Sequence, residues 1–179
     1  GKDWKYLSPA GEPIELNGEW QVDFMDGGPQ IPASFSTTSL QSWTMLGDSA
    51  TQSFAGTGKY TITFNLPDIL ADDWRLNLGK VCESARIKLN GKKAGTLWSF
   101  PFNTLIGQYL KQGENILEIE ITNLSANRIR DLDRKNVDWK KFFFVGISYK
   151  DFDASQWPVM DSGLLGPVTL TPEKVLDLK

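Results

Sequence analysis

Hydrophobic and polar residues alternate along three stretches between Trp74 and Asn123. In Trp74-Arg75-Leu76-Asn77-Leu78, Ala85-Arg86-Ile87-Lys88-Leu89 and Leu117-Glu118-Ile119-Glu120-Ile121, apolar side chains fall at every second position. A period of two puts each apolar set on one face of a pleated sheet and each charged set on the other. Asn90-Gly91 follows the second stretch, and this pair tolerates the positive φ angles of a tight hairpin turn. The chain then returns through residues 92–98 into an aromatic, proline-containing link, Trp98-Ser99-Phe100-Pro101-Phe102.

The same period marks other strands. Gly18 to Phe24 alternates and is closed by Asp26-Gly27-Gly28-Pro29, a turn composition. Tyr60 to Leu66 sends its large apolar side chains one way and Thr61, Thr63 and Asn65 the other, and Pro67 stops it. Shorter strands are predicted at Ser42–Leu46, Phe143–Tyr149 and Val168–Thr171, the last closed by Pro172. Leu105 to Leu110 reads as a strand end or one helical turn. Residues 123–142 are polar without a strand period, and Asp138 is placed to cap one short helix through Phe142. Roughly eight strands and under ~15% helix predict an all-β chain, an antiparallel β-sandwich or barrel. Tyr60, Ile62, Phe64, Leu76, Leu78, Ile87, Leu89, Leu117, Ile119 and Ile121 share one phase and are expected to face inward.

Composition narrows the function. A chain of 179 residues fits one domain and buries a core without staples. A start at Gly1, with no basic-then-apolar leader, reads as an excised or processed piece. No apolar run approaches the ~18 residues of a membrane span. A net charge of −3 lacks the basic footprint of a nucleic-acid binder. Neither membrane nor nucleic acid is therefore expected as a partner. Cys82 is the single cysteine, which rules out an internal disulfide. Histidine is absent, which rules out a Ser-His-Asp triad, a Cys-His pair and a His-based zinc site within this chain.

Four patterns could carry chemistry. Glu118 and Glu120 share a strand face ~6.7 Å apart, close to some glycosidase carboxylate separations. Neighbours on one strand stand side by side, however, whereas a glycosidase pair flanks the scissile bond, so the pair reads as a solvated outer face. Asp131-Leu132-Asp133-Arg134-Lys135-Asn136 has a calcium-loop composition. It lacks the glycine and the distal acid of a helix–loop–helix site, which leaves only a looser, oxygen-rich calcium site open. Gly56-Thr57-Gly58 is a phosphate-loop fragment with no Lys-Ser/Thr after it, and reads as a turn or bulge before Tyr60. The aromatics Trp98, Phe100, Phe102, Trp139 and Trp157 fall in links and loops, where exposed rings suit the apolar faces of sugars. The competing reading is that these rings close the ends of the core.

Several segments, in order, resemble one known module. Gly56-Thr57-Gly58-Lys59-Tyr60, Phe64 and Pro67 resemble the sugar-binding-like jelly-roll domain of glycoside hydrolase family 2 and its relatives. Leu78-Gly79-Lys80-Val81, Ala85, Leu89-Asn90-Gly91 and Gly95-Thr96-Leu97-Trp98 with Pro101-Phe102 fit the same pattern. Gly113-Glu114-Asn115-Ile116-Leu117 through Thr122-Asn123, then Asn127-Arg128-Ile129 and Asp131, resemble the version beside α-L-rhamnosidase-type catalytic domains. Ser162-Gly163-Leu164-Leu165-Gly166-Pro167-Val168 closes the match. The resemblance covers about residues 54–171 of a single domain spanning 1–179, with 1–53 as a lead-in and first strands.

The resemblance implies a galactose-binding-like jelly roll that is no enzyme by itself. It implies an accessory module beside the catalytic domain of a parent glycosidase, one that binds or positions oligo- or polysaccharide. The alternative is a purely structural module with no sugar site. No cofactor is implied, a structural calcium ion is left open, and the implied location is exported, periplasmic or at the cell surface. No catalytic residue is assigned. The sugar-binding candidates are Trp98 and Trp139 for stacking, and Arg128 and Asp131 for hydroxyls. The rival role for Arg128 and Asp131 is to pair with each other or with backbone carbonyls and fix the long loop.

Overall fold

A computed structural model describes residues 6–139 and 152–176. The expected strand at Phe143–Tyr149 lies outside those residues. In chain order the strands are β1 (Leu7–Pro9), β2 (Ile14–Glu15), β3 (Trp20–Gly28), β4 (Phe35–Thr37), β5 (Ala55–Asn65), β6 (Asp73–Asn77), β7 (Lys80–Cys82), β8 (Ser84–Leu89), β9 (Lys92–Leu97), β10 (Asn103–Leu105), β11 (Glu114–Thr122), β12 (Gly163–Gly166) and β13 (Thr169–Val175). Two helices, α1 (Ser49–Ser53) and α2 (Ala126–Arg134), complete the regular structure with two short 3-10 turns. Strands make up 45% of the described residues and helices 13%, as the alternation predicts.

The strands form the expected antiparallel β-sandwich. One sheet runs β4-β3-β5-β11-β8-β9, the other runs β1-β13-β6-β10 with β2 beside β13, and β7 pairs with β12 separately. Side chains of both large sheets meet in one core, with Val22, Tyr60, Ile62, Ile87 and Ile119 from the first and Trp74, Leu76 and Leu170 from the second. All ten residues expected to face inward are buried.

The charged half of the alternation is explained as well. On the outer face of the six-stranded sheet, Glu120 accepts from Arg86 Nε at 2.9 Å and Lys88 Nζ at 3.1 Å. Lys59 lies 3.9 Å from both Glu118 and Asp23. Signs thus alternate from β3 through β5 and β11 to β8, the favourable arrangement for cross-strand neighbours. Glu118 and Glu120 are part of this ladder.

The β8–β9 hairpin turns at Asn90 (φ 52°) and Gly91 (φ 76°), as the Asn-Gly pair predicts. Asn90 also does tertiary work. Its Nδ2 donates to Tyr109 O at 2.9 Å and Asn115 Oδ1 at 2.8 Å, and its Oδ1 accepts from Ile116 N at 3.1 Å. The Gly56-Thr57-Gly58 segment lies inside β5, and the irregularity sits opposite it in β3, between Phe24 and Asp26. A Cβ on Gly56 would overlap the Asp26 carbonyl, so the bulge needs glycine there.

Three local expectations are corrected. Trp43–Met45 is a 3-10 turn and not a strand, because Ser42 Oγ accepts from Thr44 N and starts a turn while the Trp43 ring goes into the core. The last strand runs past Pro172 to Val175. Pro172 O accepts from Ala10 N, so its nitrogen, on the same edge of an extended residue, faces away from β6 and interrupts no β6 ladder bond. The polar stretch after Asn123 holds a helix at 126–134 where none was expected, while the short helix expected from Asp138 through Phe142 falls mostly outside the described residues. Leu105–Leu110 combines both readings, with Leu105 ending β10 and a 3-10 turn at Gly107–Tyr109.

Tyr60 sits in this core with its hydroxyl accepting from Trp43 Nε1 at 2.6 Å and Leu164 N at 3.1 Å. Burial pushes its pKa up to about 12, partly offset by those two bonds. An acid with a raised folded pKa holds its proton in the native state while the unfolded chain releases it. Stability from this group is therefore complete below pH 10 and is lost between about pH 10 and 12, on the order of 3 kcal/mol. Ultraviolet titration of the tyrosinate band should show a step that coincides with unfolding and is missing from the Tyr60→Phe chain. Ionisation of Tyr60 in the chain while it is still folded, near the ordinary tyrosine pKa, would contradict it.

Candidate functional site

The segment after β11 is fastened by two asparagines. Asn123 Nδ2 donates to Phe54 O at 2.8 Å and Ser162 Oγ at 3.0 Å, while its Oδ1 accepts from Gly56 N at 2.9 Å. One turn on, buried Asn127 donates to Met160 O at 2.7 Å and accepts from Met160 N at 2.8 Å, mimicking a strand pair. Ser162 N in turn donates to Ser42 Oγ at 3.0 Å. These bonds seat α2 against α1 and the 152–162 segment at one end of the sandwich. Each amide satisfies buried backbone groups that would otherwise destabilise the fold.

The far side of α2 organises the aromatics. Asp133 accepts from Trp139 Nε1 at 2.6 Å and from Ala154 N at 2.7 Å, so one carboxylate ties the loop after α2 to the segment at 152–157. Phe152 stands edge-on to Trp139 at 6.3 Å and to Trp157 at 5.4 Å. Arg130 Nε donates to Trp157 O at 2.7 Å. Trp139, Phe152, Asp133, Asp138 and Asp153 border an open cleft of about 680 Å³. Asp153 accepts from Ser155 N and Oγ. Ring edges beside oriented carboxylate oxygens suit sugar hydroxyls and C–H faces. The thiol of Cys82 is pushed up by burial, away from thiolate chemistry.

The four sugar-binding candidates do not converge on one surface. Arg128 Nη1 pairs with Asp131 Oδ2 at 3.3 Å along α2, and Lys135 Nζ reaches the same oxygen at 2.9 Å. Trp139 borders the aromatic cleft and is partly buried. Trp98 is 79% exposed next to Phe100 at 84%, in the link from β9 to β10, and borders neither this cleft nor the one between the helices. Phe102 is buried and anchors that link. The pairing of Arg128 with Asp131 is as the rival reading expected, but it lies on a helix surface and is shared with Lys135. Arg128→Ala should therefore lower stability by less than ~1 kcal/mol. A sharp fall in melting temperature would contradict this.

Asp131 and Asp133, the core of the calcium-like composition, are engaged by side chains and backbone on a helix. Among the described residues no group of three or more Cys, Asp or Glu side chains is placed to hold a metal ion. Among them, too, no helix is long and apolar enough to cross a membrane. Asn123, Asn127, Asp133 and Ser162 form the framework of this end of the molecule. Sequence spacing shows little of it, because most partners are 30 or more residues away.

No family model matches the chain. It is 30% identical, over 187 aligned positions covering 89% of the chain, to a provisionally named β-glucuronidase of Formosa agariphila. It spans 16% of that protein's length. Its fold superposes on a rhamnosidase from Novosphingobium sp. PP1Y with a TM-score of 0.73 and 27% identity, covering 97% of this chain and 16% of that one. A glycoside hydrolase family 2 β-galacturonidase from Eisenbergiella tayi shares the fold at a TM-score of 0.55 and 18% identity, over 90% of this chain and 24% of that one. The chain is thus related to one small segment of glycoside hydrolases, as the resemblance implied.

Proposed function

We propose that this chain is a non-catalytic β-sandwich module of a larger glycoside hydrolase that positions oligo- or polysaccharide beside the catalytic domain. The observation that carries the reading is coverage. The fold matches the Novosphingobium rhamnosidase over 97% of this chain, yet accounts for 16% of that enzyme. The aromatic cleft at Trp139 supports the sugar contact. The names of the relatives, β-glucuronidase and β-galacturonidase among them, favour glycans that contain uronic acids. The proposal needs no cofactor, admits a structural calcium ion, and places the parent enzyme in the periplasm or at the cell surface.

A second reading, a purely structural module, is favoured by the bond from Trp139 Nε1 to Asp133, which ties the ring to α2. Affinity electrophoresis through gels containing neutral or acidic polysaccharide separates the two. Retardation by a polysaccharide supports the binding module, and unchanged mobility in all gels supports the structural one.

The isolated chain should turn over no aryl glycoside, since glycoside cleavage needs an acid and a second carboxylate across the bond. Turnover that survived repurification and vanished in Glu118→Gln or Asp131→Asn would contradict this.

A further inference from the structure

We propose that the cleft between α1 and α2 binds the carboxylate of an acidic sugar residue in a glycan. The inference rests on the carbohydrate-binding reading above and names the ligand class and the residues. Asn127, Arg130, Asp131 and Arg134 lie at helix positions i, i+3, i+4 and i+7, so one stripe of α2 carries them all. That stripe faces α1 across a cleft of about 340 Å³, with Ser49 and Gln52 opposite. The volume is in the range of small-ligand sites.

The charge in this cleft is unbalanced. Arg130, Arg134 and Lys135 line it against a single carboxylate, Asp131, on a chain whose net charge is −3. Asp131 is already neutralised by Lys135 and Arg128. Arg130 Nε is held by Trp157 O, which fixes the guanidinium and leaves its outer nitrogens free to bind. The Arg134 side chain is exposed and makes no ion pair among the described residues. Two like charges at i and i+4 repel by a few tenths of a kcal/mol, a cost a bound anion relieves. A planar carboxylate matches the guanidinium fork in two parallel bonds, and Ser49 and Gln52 can meet ring hydroxyls.

The test is titration calorimetry of the 179-residue chain with oligogalacturonate and with its methyl ester, which keeps the skeleton and removes the charge. Oligogalacturonate should bind and weaken with added salt, and the methyl ester should bind at least ~tenfold more weakly. Arg134→Gln should lose at least ~tenfold affinity with an unchanged melting temperature, while Lys93→Gln, on edge strand β9, should bind as the parent. Equal binding of acid and ester, or parental affinity in Arg134→Gln, would overturn the anion site and leave sugar binding standing. A sulfated neutral galactan that bound as tightly would overturn the carboxylate assignment. Absence of binding to every glycan, neutral ones included, would overturn this site and the sugar-binding reading together.

Discussion

Replacing Trp43 with alanine should destabilise the fold by about 3–5 kcal/mol, the range for removing a fully buried large aromatic. The ring is completely shielded from solvent and packs edge-on against Phe24 at 5.1 Å and Phe54 at 5.8 Å. Its indole nitrogen donates to the Tyr60 hydroxyl at 2.6 Å. Two glycines make room for it, since a Cβ on Gly58 or Gly163 would press against the indole. Such a tailored slot has little means of collapsing, so the cavity cost adds to the lost burial. Tyr60 would also lose one of its two donors in a site where unmet polar atoms are costly. Urea unfolding followed by far-ultraviolet dichroism measures the effect. A midpoint equal to the parent's would show that Trp43 is not a keystone of the core.

Ile119→Ala should cost about 2–5 kcal/mol. Ile119 is fully buried in β11, directly between Tyr60 of β5 and Ile87 of β8. Its neighbour Glu118 points to the opposite face and lies 3.9 Å from Lys59. Glu118→Ala is therefore expected to change stability by less than ~1 kcal/mol. The contrast between adjacent positions tests the inside-outside assignment more sharply than either variant alone. Equal unfolding midpoints for the two would mean that the register of β11 is wrong.

The parts of the fold legible in the sequence are those where one physical rule acts without competition. In β6, β8 and β11 the period of two is clean because one face is core and the other charged. Asn90-Gly91 was legible because few residue pairs accept two positive φ angles in succession. Short strands such as β7 and β12 escaped, as three or four residues are too few to establish a period. Helix α2 escaped for a different reason. Its face toward α1 is polar and Asn127 is its only buried residue, so the start signal at Ser125 was followed by only two large apolar positions, Ile129 and Leu132.

The candidate site was legible only in part. Arg128 and Asp131 stand three residues apart, and a local pairing could be expected from that spacing. The Asp131–Asn136 composition leaves a loose calcium site open, whereas the two oxygens of Asp133 serve Trp139 and Ala154. Nothing local distinguishes those uses, since Ala154 is 21 residues further along the chain. Trp98 and Trp139 looked equivalent as loop aromatics. The structure separates them, because Trp98 projects from the β9–β10 link while Trp139 is held edge-on to Phe152.

The central claim is that this module has a carbohydrate surface of its own, and a glycan array probed with the isolated chain, with and without calcium, tests it most directly. The account predicts signal confined to a related set of glycans, richest among those containing uronic acids, and weakened when Trp139 is replaced by alanine. An array without signal in either condition, on a chain shown by dichroism to be folded, would contradict it and leave a module that only packs against its neighbour.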